Sequence, residues 1–267
     1  MPTVHTRNII IEKKMKLKQK LAALLFAALI TLPAAAQEKQ DMFRPETSSV
    51  TSQSIAPDAR AGGMGDIGAA TDPDVVSQYW NPAKYPFTIS RAGVSLNYTP
   101  WLRRIVSDID LAYLAGYYRI GDYSAVSASL RYFSLGEVYT NMGATDDNSM
   151  TINPYEMSLD VAYSIMLSEK FSIAAAVRWI YSDLTYDYTS DTSPSSAFAV
   201  DLAAYYQNYI NIGQRECQLG VGLNISNIGS KITFSGKEYG EFLPTNMRLG
   251  ASLMIPISRV PYGVGQH

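Results

Sequence analysis

The chain's supply of catalytic side chains is small. It holds two histidines, His5 and His267, and one cysteine, Cys217, in 267 residues. A nucleophilic triad or a His-based metal centre needs an imidazole inside the fold, and both histidines stand at the ends of the chain. Cys217 alternates in phase with Leu219 and Val221, which reads as an apolar, lipid-facing position rather than a nucleophile; it has no disulfide partner. Asp72 and Asp74 have the spacing of the first two ligands of a calcium loop, but no later acidic ligand follows. Both read as turn or cap residues. Gly62, Gly63 and Gly65, with Asp66, lie in ARAGGMGDIGAA (Ala59–Ala70). No GK[ST] follows and no strand precedes, so this is not a phosphate loop. Clustered glycines instead mark tight turns or close backbone approach. What remains is electrostatic: Asp160, Arg178, Asp201 and Arg248 stand singly in otherwise small or apolar stretches, where a charge needs a partner away from lipid. They read as pairs inside a lumen, with a direct substrate-binding role as the alternative. No enzyme, metal or cofactor is expected.

The elements that would position these residues are strands. Met157, Leu159, Val161, Tyr163 and Ile165 alternate with Glu156, Ser158, Asp160, Ala162 and Ser164. The same period of two runs through Ala92–Tyr98, Phe171–Ser182, Phe198–Tyr206, Leu219–Ser226 and Asn246–Ile255, and further strands fit at 109–119 and 123–133. Helical spacing is absent from these runs. About eight strands of roughly ten residues match tilted membrane-spanning strands better than the five or six usual in a soluble sandwich. Gaps between them alternate: long at Pro100–Asp108, Ser134–Pro154, Asp183–Ser196 and Asn227–Thr245, tight at Gly121-Asp122 and Ser168–Lys170, intermediate at Gln207–Glu216. Short periplasmic turns and longer external loops are the rule for outer-membrane barrels. The first strand is therefore expected to run outward, with the Gly-rich segment on the periplasmic side. Aromatic residues at strand ends (Tyr98, Trp101, Tyr132, Phe133, Tyr155, Trp179, Tyr181, Tyr206 and Tyr209) fit interfacial girdles.

Met15–Gln37 has the parts of an export signal: a basic start at Lys16, Lys18 and Lys20, an apolar core over Leu21–Leu32 and small residues Ala34–Ala36. Its core is shorter than the ~20 residues a membrane helix needs. Removing residues 1–36 leaves 16 basic and 23 acidic residues, a formal charge of −7, which argues against nucleic-acid binding. Charged residues are 17% of the chain, against about 25% in soluble domains, while mean hydropathy is −0.05. Two-faced strands produce that combination. The expected organisation is an upstream extension plus signal peptide (1–36), a flexible N-terminal arm rich in Ser, Thr and Gln (37–58), a Gly-rich luminal plug (59–91) and a transmembrane antiparallel β-barrel (92–267).

Ala59–Ala70, followed by Asp72-Pro73-Asp74 and Asn81-Pro82-Ala83, resembles the N-terminal motif of the PorV/PorQ branch of the long-chain fatty-acid-transporter-like (FadL-like) barrels. Leu243–Gly250 (LPTNMRLG) resembles a strand start of the same branch, and the likeness covers about Gln37–Ile257. The resemblance implies a fourteen-stranded barrel with its N-terminal segment folded into the lumen. About eight of those strands fit here, so the chain is expected to be C-terminally truncated. It further implies an outer-membrane component of the type IX secretion system. Such a protein binds the C-terminal signal domain of secreted cargo and carries it from translocon to the surface attachment complex. The alternative is a transporter of fatty acids or other hydrophobic small molecules. Expected partners are cargo, translocon, attachment complex and membrane lipid, with no nucleic acid. The plug motif comprises Gly62, Gly63, Gly65, Asp66, Asn81 and Pro82. The exposed loop residues expected to meet cargo are Trp101, Tyr139, Met142, Tyr186, Tyr188, Phe234, Tyr239 and Phe242, since aromatic groups offer rigid contact area.

Overall fold

Alternating small-polar and apolar side chains build a strand with two unlike faces. Eight such strands pair here into one antiparallel sheet. A computed structural model describes residues 48–101, 108–141, 149–184, 193–213, 215–234 and 240–256, all within the unit Glu46–His267. The strands are β1 (Ala92–Pro100), β2 (Asp110–Ile120), β3 (Ser124–Ser134), β4 (Val138–Asn141), β5 (Ser149–Ile152), β6 (Tyr155–Ser168), β7 (Phe171–Asp183), β8 (Ser195–Ile212), β9 (Arg215–Gly229) and β10 (Asn246–Met254). The sheet order is β1-β2-β3-β6-β7-β8-β9-β10, so each wall strand pairs with its neighbour in the chain, and β4-β5 form a separate hairpin. The fold is all-β, a curled, open barrel wall of eight strands, as expected. Among the described residues β1 and β10 each pair on one side only.

Register fixes the two faces. Ser129, Asp160 and Arg178 are cross-strand neighbours, as are Leu130, Leu159 and Trp179. The first row is buried; Leu130 and Leu159 in the second are exposed. Residues 48–91 pack on the polar, concave face. On the convex face Tyr132, Tyr155, Tyr181 and Trp179 form a chain of rings with centroids 5.6, 5.9 and 6.1 Å apart near the long-loop rim. Tyr118, Tyr123, Tyr163 and Tyr209 are exposed near the tight-turn rim. Phe133, expected in a girdle, instead points inward and is buried, because it shares the phase of Arg131.

The structure corrects four other expectations. The Gln207–Glu216 gap is no loop: β8 and β9 run on to Ile212 and Arg215 and turn tightly between them. This makes the long-tight alternation regular. The Ser134–Pro154 gap holds the β4-β5 hairpin. Cys217 is fully buried rather than lipid-exposed, although it keeps the phase of Leu219. Finally, residues 48–58 are no loose arm, since Val50, Ser52, Gln53 and Asp58 are all buried. Their polar groups find non-local partners that composition does not reveal. The signal segment and residues 37–47 lie outside the described residues.

Candidate functional site

The concave face is built by the segment that fills it. Asp58 caps the short helix Ala59–Gly63 by accepting from Ala61 N–H at 2.8 Å, and its other oxygen accepts from Trp80 Nε1 at 2.7 Å. One buried carboxylate thus joins the two halves of the plug. Asn81 joins plug to wall: its Nδ2 donates to Ala69 O (2.8 Å) and to Ala204 O (3.0 Å) on β8, and its Oδ1 accepts from Ala83 N–H at 3.0 Å. Pro82, lacking a donor, starts the 3₁₀ turn Pro82–Phe87 where no donor is needed. Lys84 is completely buried. Its Nζ donates to Gly68 O at 2.8 Å and Thr71 Oγ1 at 3.2 Å. Burial pulls this ammonium down to about 8, against the opposing pull of Asp74.

The motif glycines divide in what they do. Gly62 and Gly63 sit in the exposed helix Ala59–Gly63, and a Cβ on Gly63 would meet nothing. Gly65 does need its freedom, with φ at +81°, and Asp66 follows in the same left-handed region with its N–H on Ala61 O. Close packing occurs at Gly68, where a Cβ would collide with the Trp80 side chain, and on the wall. A Cβ on Gly222 of β9 would collide with the Ala69 carbonyl. The wall glycines, not Gly62 and Gly63, let the plug backbone approach.

Between β6, β7, β8 and β9 lies a buried charge cluster. The Arg178 guanidinium donates through Nε to Asp160 Oδ1, through Nη2 to Asp201 Oδ2 at 2.8 Å and through Nη1 to Asn227 Oδ1. The three charged side chains are each 4% exposed. Ser129 Oγ donates to Asp160 and Asn227 N–H to Asp201, at 2.8 and 2.7 Å. Pairing within the lumen is thus as expected for these three, whereas Arg248 lies over the rings of Tyr79 and Trp80 at 4.8 and 5.3 Å. Asn227 also donates to Pro244 O at 3.0 Å, which ties the cluster to the long-loop rim.

At that rim the loop after β9 folds back on itself. Ile232 and Glu241 exchange backbone hydrogen bonds of 2.9 Å. Ile232, Phe234 and Leu243 then pack with Val50, Ile180, Ala197 and Ala199. Next to them Phe242 is 39% exposed, with the Lys231 ammonium 4.5 Å from its ring centroid.

A family model described as "Type IX secretion system protein PorV" matches residues 36–259. The chain belongs to the PorV family. No curated protein matches it. Membership makes it a component of the type IX secretion system in the outer membrane, not a member of a known enzyme family. The two-faced sheet agrees with that setting, since strands of 9–18 residues are long enough to span an apolar band ~25 Å tall when tilted.

For a PorV-family protein the expected contact residues divide as follows. Trp101 is half-buried at the end of β1, its N–H donating to Ile109 O at 2.9 Å. Phe242 is exposed. Tyr139 falls in β4 opposite Thr151. Met142, Tyr186, Tyr188 and Tyr239 lie outside the described residues. Phe234 is a correction: it is 4% exposed, because the Ile232–Glu241 bridge turns its ring onto Val50 and the wall. Sequence reading missed Lys84, Tyr79, Trp80 and Arg131. Arg131 could have been found, since it continues the inward row Ser127, Ser129. Its Nη2 donates to Ser52 O and, at 3.0 Å, to Ile55 O.

Proposed function

We propose that this PorV-family protein binds the C-terminal signal domain of secreted cargo at its long-loop rim, and hands that cargo from the translocon to the surface attachment complex. The observation that carries the reading is the family match over residues 36–259. The geometry supports it in one respect: residues 48–91 pack on the concave face, so a partner is met outside it. A transported fatty acid would need an apolar interior. Here the interior rows mix Ser127, Ser129, Asp160, Arg178 and Asn224 with Leu111, Tyr113 and Ala176, and residues 48–91 pack against them. An apolar groove of about 560 Å³, lined by Val94, Leu114, Val126, Leu130 and Val161, lies on the convex face.

The test is capture of cargo from cells carrying Phe242→Ala and Trp101→Ala, scored beside uptake of labelled fatty acid into liposomes holding the wild-type protein. Reduced capture with the protein still in the outer membrane supports the rim. Undiminished capture with both residues replaced removes it, and fatty-acid uptake would transfer the assignment to transport.

A further inference from the structure

Between the two rims the outward positions of β1, β2, β3 and β6 hold no Asp, Glu, Lys or Arg, as a lipid-facing band requires. That band is not even. Val94, Gly116, Ala128 and Val161 are cross-strand neighbours, and the two middle members are too small to fill their share of the row. One row nearer the long loops stand Leu114, Leu130 and Leu159; one row nearer the tight turns stand Tyr118 and Val126. These larger side chains wall the convex groove of about 560 Å³, which is floored by Gly116 and Ala128. The floor is closed. The strands pair there without a break in register, and Ala115, Ser127 and Ser129 behind it are buried. The groove therefore belongs to the membrane side alone.

A cation stands at its turn-side end. Arg91 is exposed and places its guanidinium 5.4 Å from the centroid of the Tyr118 ring, itself a wall of the groove. Its carbonyl accepts from Arg119 N–H at 2.8 Å, which fixes the backbone. Among the described residues no carboxylate pairs with the guanidinium. Depth also fits. From Ile120 at that rim to Leu114 is ~20 Å along β2, or ~14 Å of depth at a ~45° tilt, about half of the ~30 Å hydrocarbon core. A headgroup phosphate beside Arg91 thus lays its acyl chain along the groove within one leaflet. From the groove, its depth and its cation, we propose that this face holds one glycerophospholipid of the turn-side leaflet, its phosphate on Arg91 and one acyl chain over Gly116 and Ala128. Arginine offers phosphate a planar fork of donors and is weakly hydrated. Lipid tails are already apolar, so what the groove adds for the chain is close packing on its floor and walls rather than removal from water. The site rests on the outer-membrane setting and not on the cargo reading.

Photolabelling tests the site. The purified protein is placed in vesicles of phosphatidylethanolamine and phosphatidylglycerol that include a phosphatidylethanolamine with a diazirine in one acyl chain, then irradiated and digested with trypsin. The expected result is several-fold more adduct in peptides 105–119 and 120–131 than in 171–178, which carries the exposed Val177 of the same convex face. Arg91→Gln should lower that enrichment about fivefold, the worth of one arginine near an anionic headgroup layer. Ala128→Leu, which fills the floor, should remove it. Both residues are exposed, and the gel shift between folded and unfolded barrel checks that each variant folds. The same diazirine chain on a diacylglycerol, which lacks phosphate, should show no enrichment. Equal labelling of the three peptides, or enrichment that survives both substitutions, overturns the site. Enrichment as strong with the diacylglycerol overturns the headgroup contact. Labelling that appears only when the protein is diluted in the membrane overturns the proposal by assigning the groove to a second copy of the chain.

Discussion

Replacing Arg178 with Met tests the buried cluster most directly. The substitution keeps the bulk of the stem and removes the guanidinium that touches Asp160, Asp201 and Asn227. Both carboxylates are 4% exposed, so neither can recover hydration without opening the wall. Breaking one buried ion pair from one side costs about 3–5 kcal/mol. Two pairs are broken here, yet Asp160 keeps its bond from Ser129 and Asp201 its bond from Asn227 N–H. The retained bonds hold the loss to about 4 kcal/mol rather than twice that. Arg178→Lys should recover little, since a point-like ammonium cannot serve three acceptors on separate strands. The triple variant Arg178→Met, Asp160→Asn, Asp201→Asn removes the stranded charges and keeps acceptors for Ser129 and Asn227, so it should regain at least half the loss. Urea unfolding in micelles, followed by tryptophan fluorescence and by the gel shift between folded and unfolded barrel, measures all three. A loss under ~1 kcal/mol for Arg178→Met, or a triple variant no better than the single one, would refute the reasoning.

Three other outcomes are expected. Gly222→Val puts a branched side chain where the Ala69 carbonyl lies, so the plug should lift and trypsin should cut after Lys84, which is fully buried in the wild type; resistance equal to wild type would count against the packing. Phe234→Ala should cost about 3–5 kcal/mol, as for other buried aromatic truncations, and the same urea titration reads it. Lys84 gives a pH effect. Its folded-state value of about 8 lies below its ordinary 10.5, so the unfolded chain binds the extra proton between those values and stability rises with pH across that window. The penalty for burying the ammonium is present in full below about 8 and relieved by about 10.5, on the order of 3 kcal/mol. Comparing urea midpoints at neutral and alkaline pH for wild type and Lys84→Met isolates it; parallel pH responses would remove Lys84 as the cause.

The wall was legible because its signal is local and repeated. Ser158, Asp160, Ala162 and Ser164 against Leu159, Val161 and Tyr163 leave a strand one way to face, and the same parity placed Asp160, Arg178 and Asp201 together inside. The plug's Asn81-Pro82 was readable as a turn, but its hold on Ala204 was not, since the two are 123 residues apart. Residues 48–58 misled by composition. A Ser-rich stretch reads as solvated until Arg131, Tyr79 and Ser158 are known to lie beside it. Phe234 misled for the converse reason: an aromatic residue in a long gap looks available, and the Ser235-Gly236 turn signal does not say that Ile232 pairs with Glu241 and so buries it. The ends of β8 and β9 were missed because Gln207, Asn208 and Asn211 interrupt the apolar rhythm where the strands continue past the half-buried part of the wall.

The plug's contact with β10, the last wall strand among the described residues, bears on the order in which the molecule is made. Ser252 Oγ on β10 donates to Ala70 O at 2.5 Å, and Arg248 Nη2 to Tyr79 Oη at 3.1 Å, across 182 and 169 residues. Adjacent hairpins of the wall can form one after another as the chain becomes available, because each closes only a short loop. The plug cannot follow that schedule: it leaves the ribosome and crosses the inner membrane before any strand, yet part of its seat does not exist until β10 is in place. For that interval the Ala70 carbonyl and the Tyr79 hydroxyl lack these two partners. Newly exported chains thus pass through a stage in which the plug waits for β10 to complete its seat.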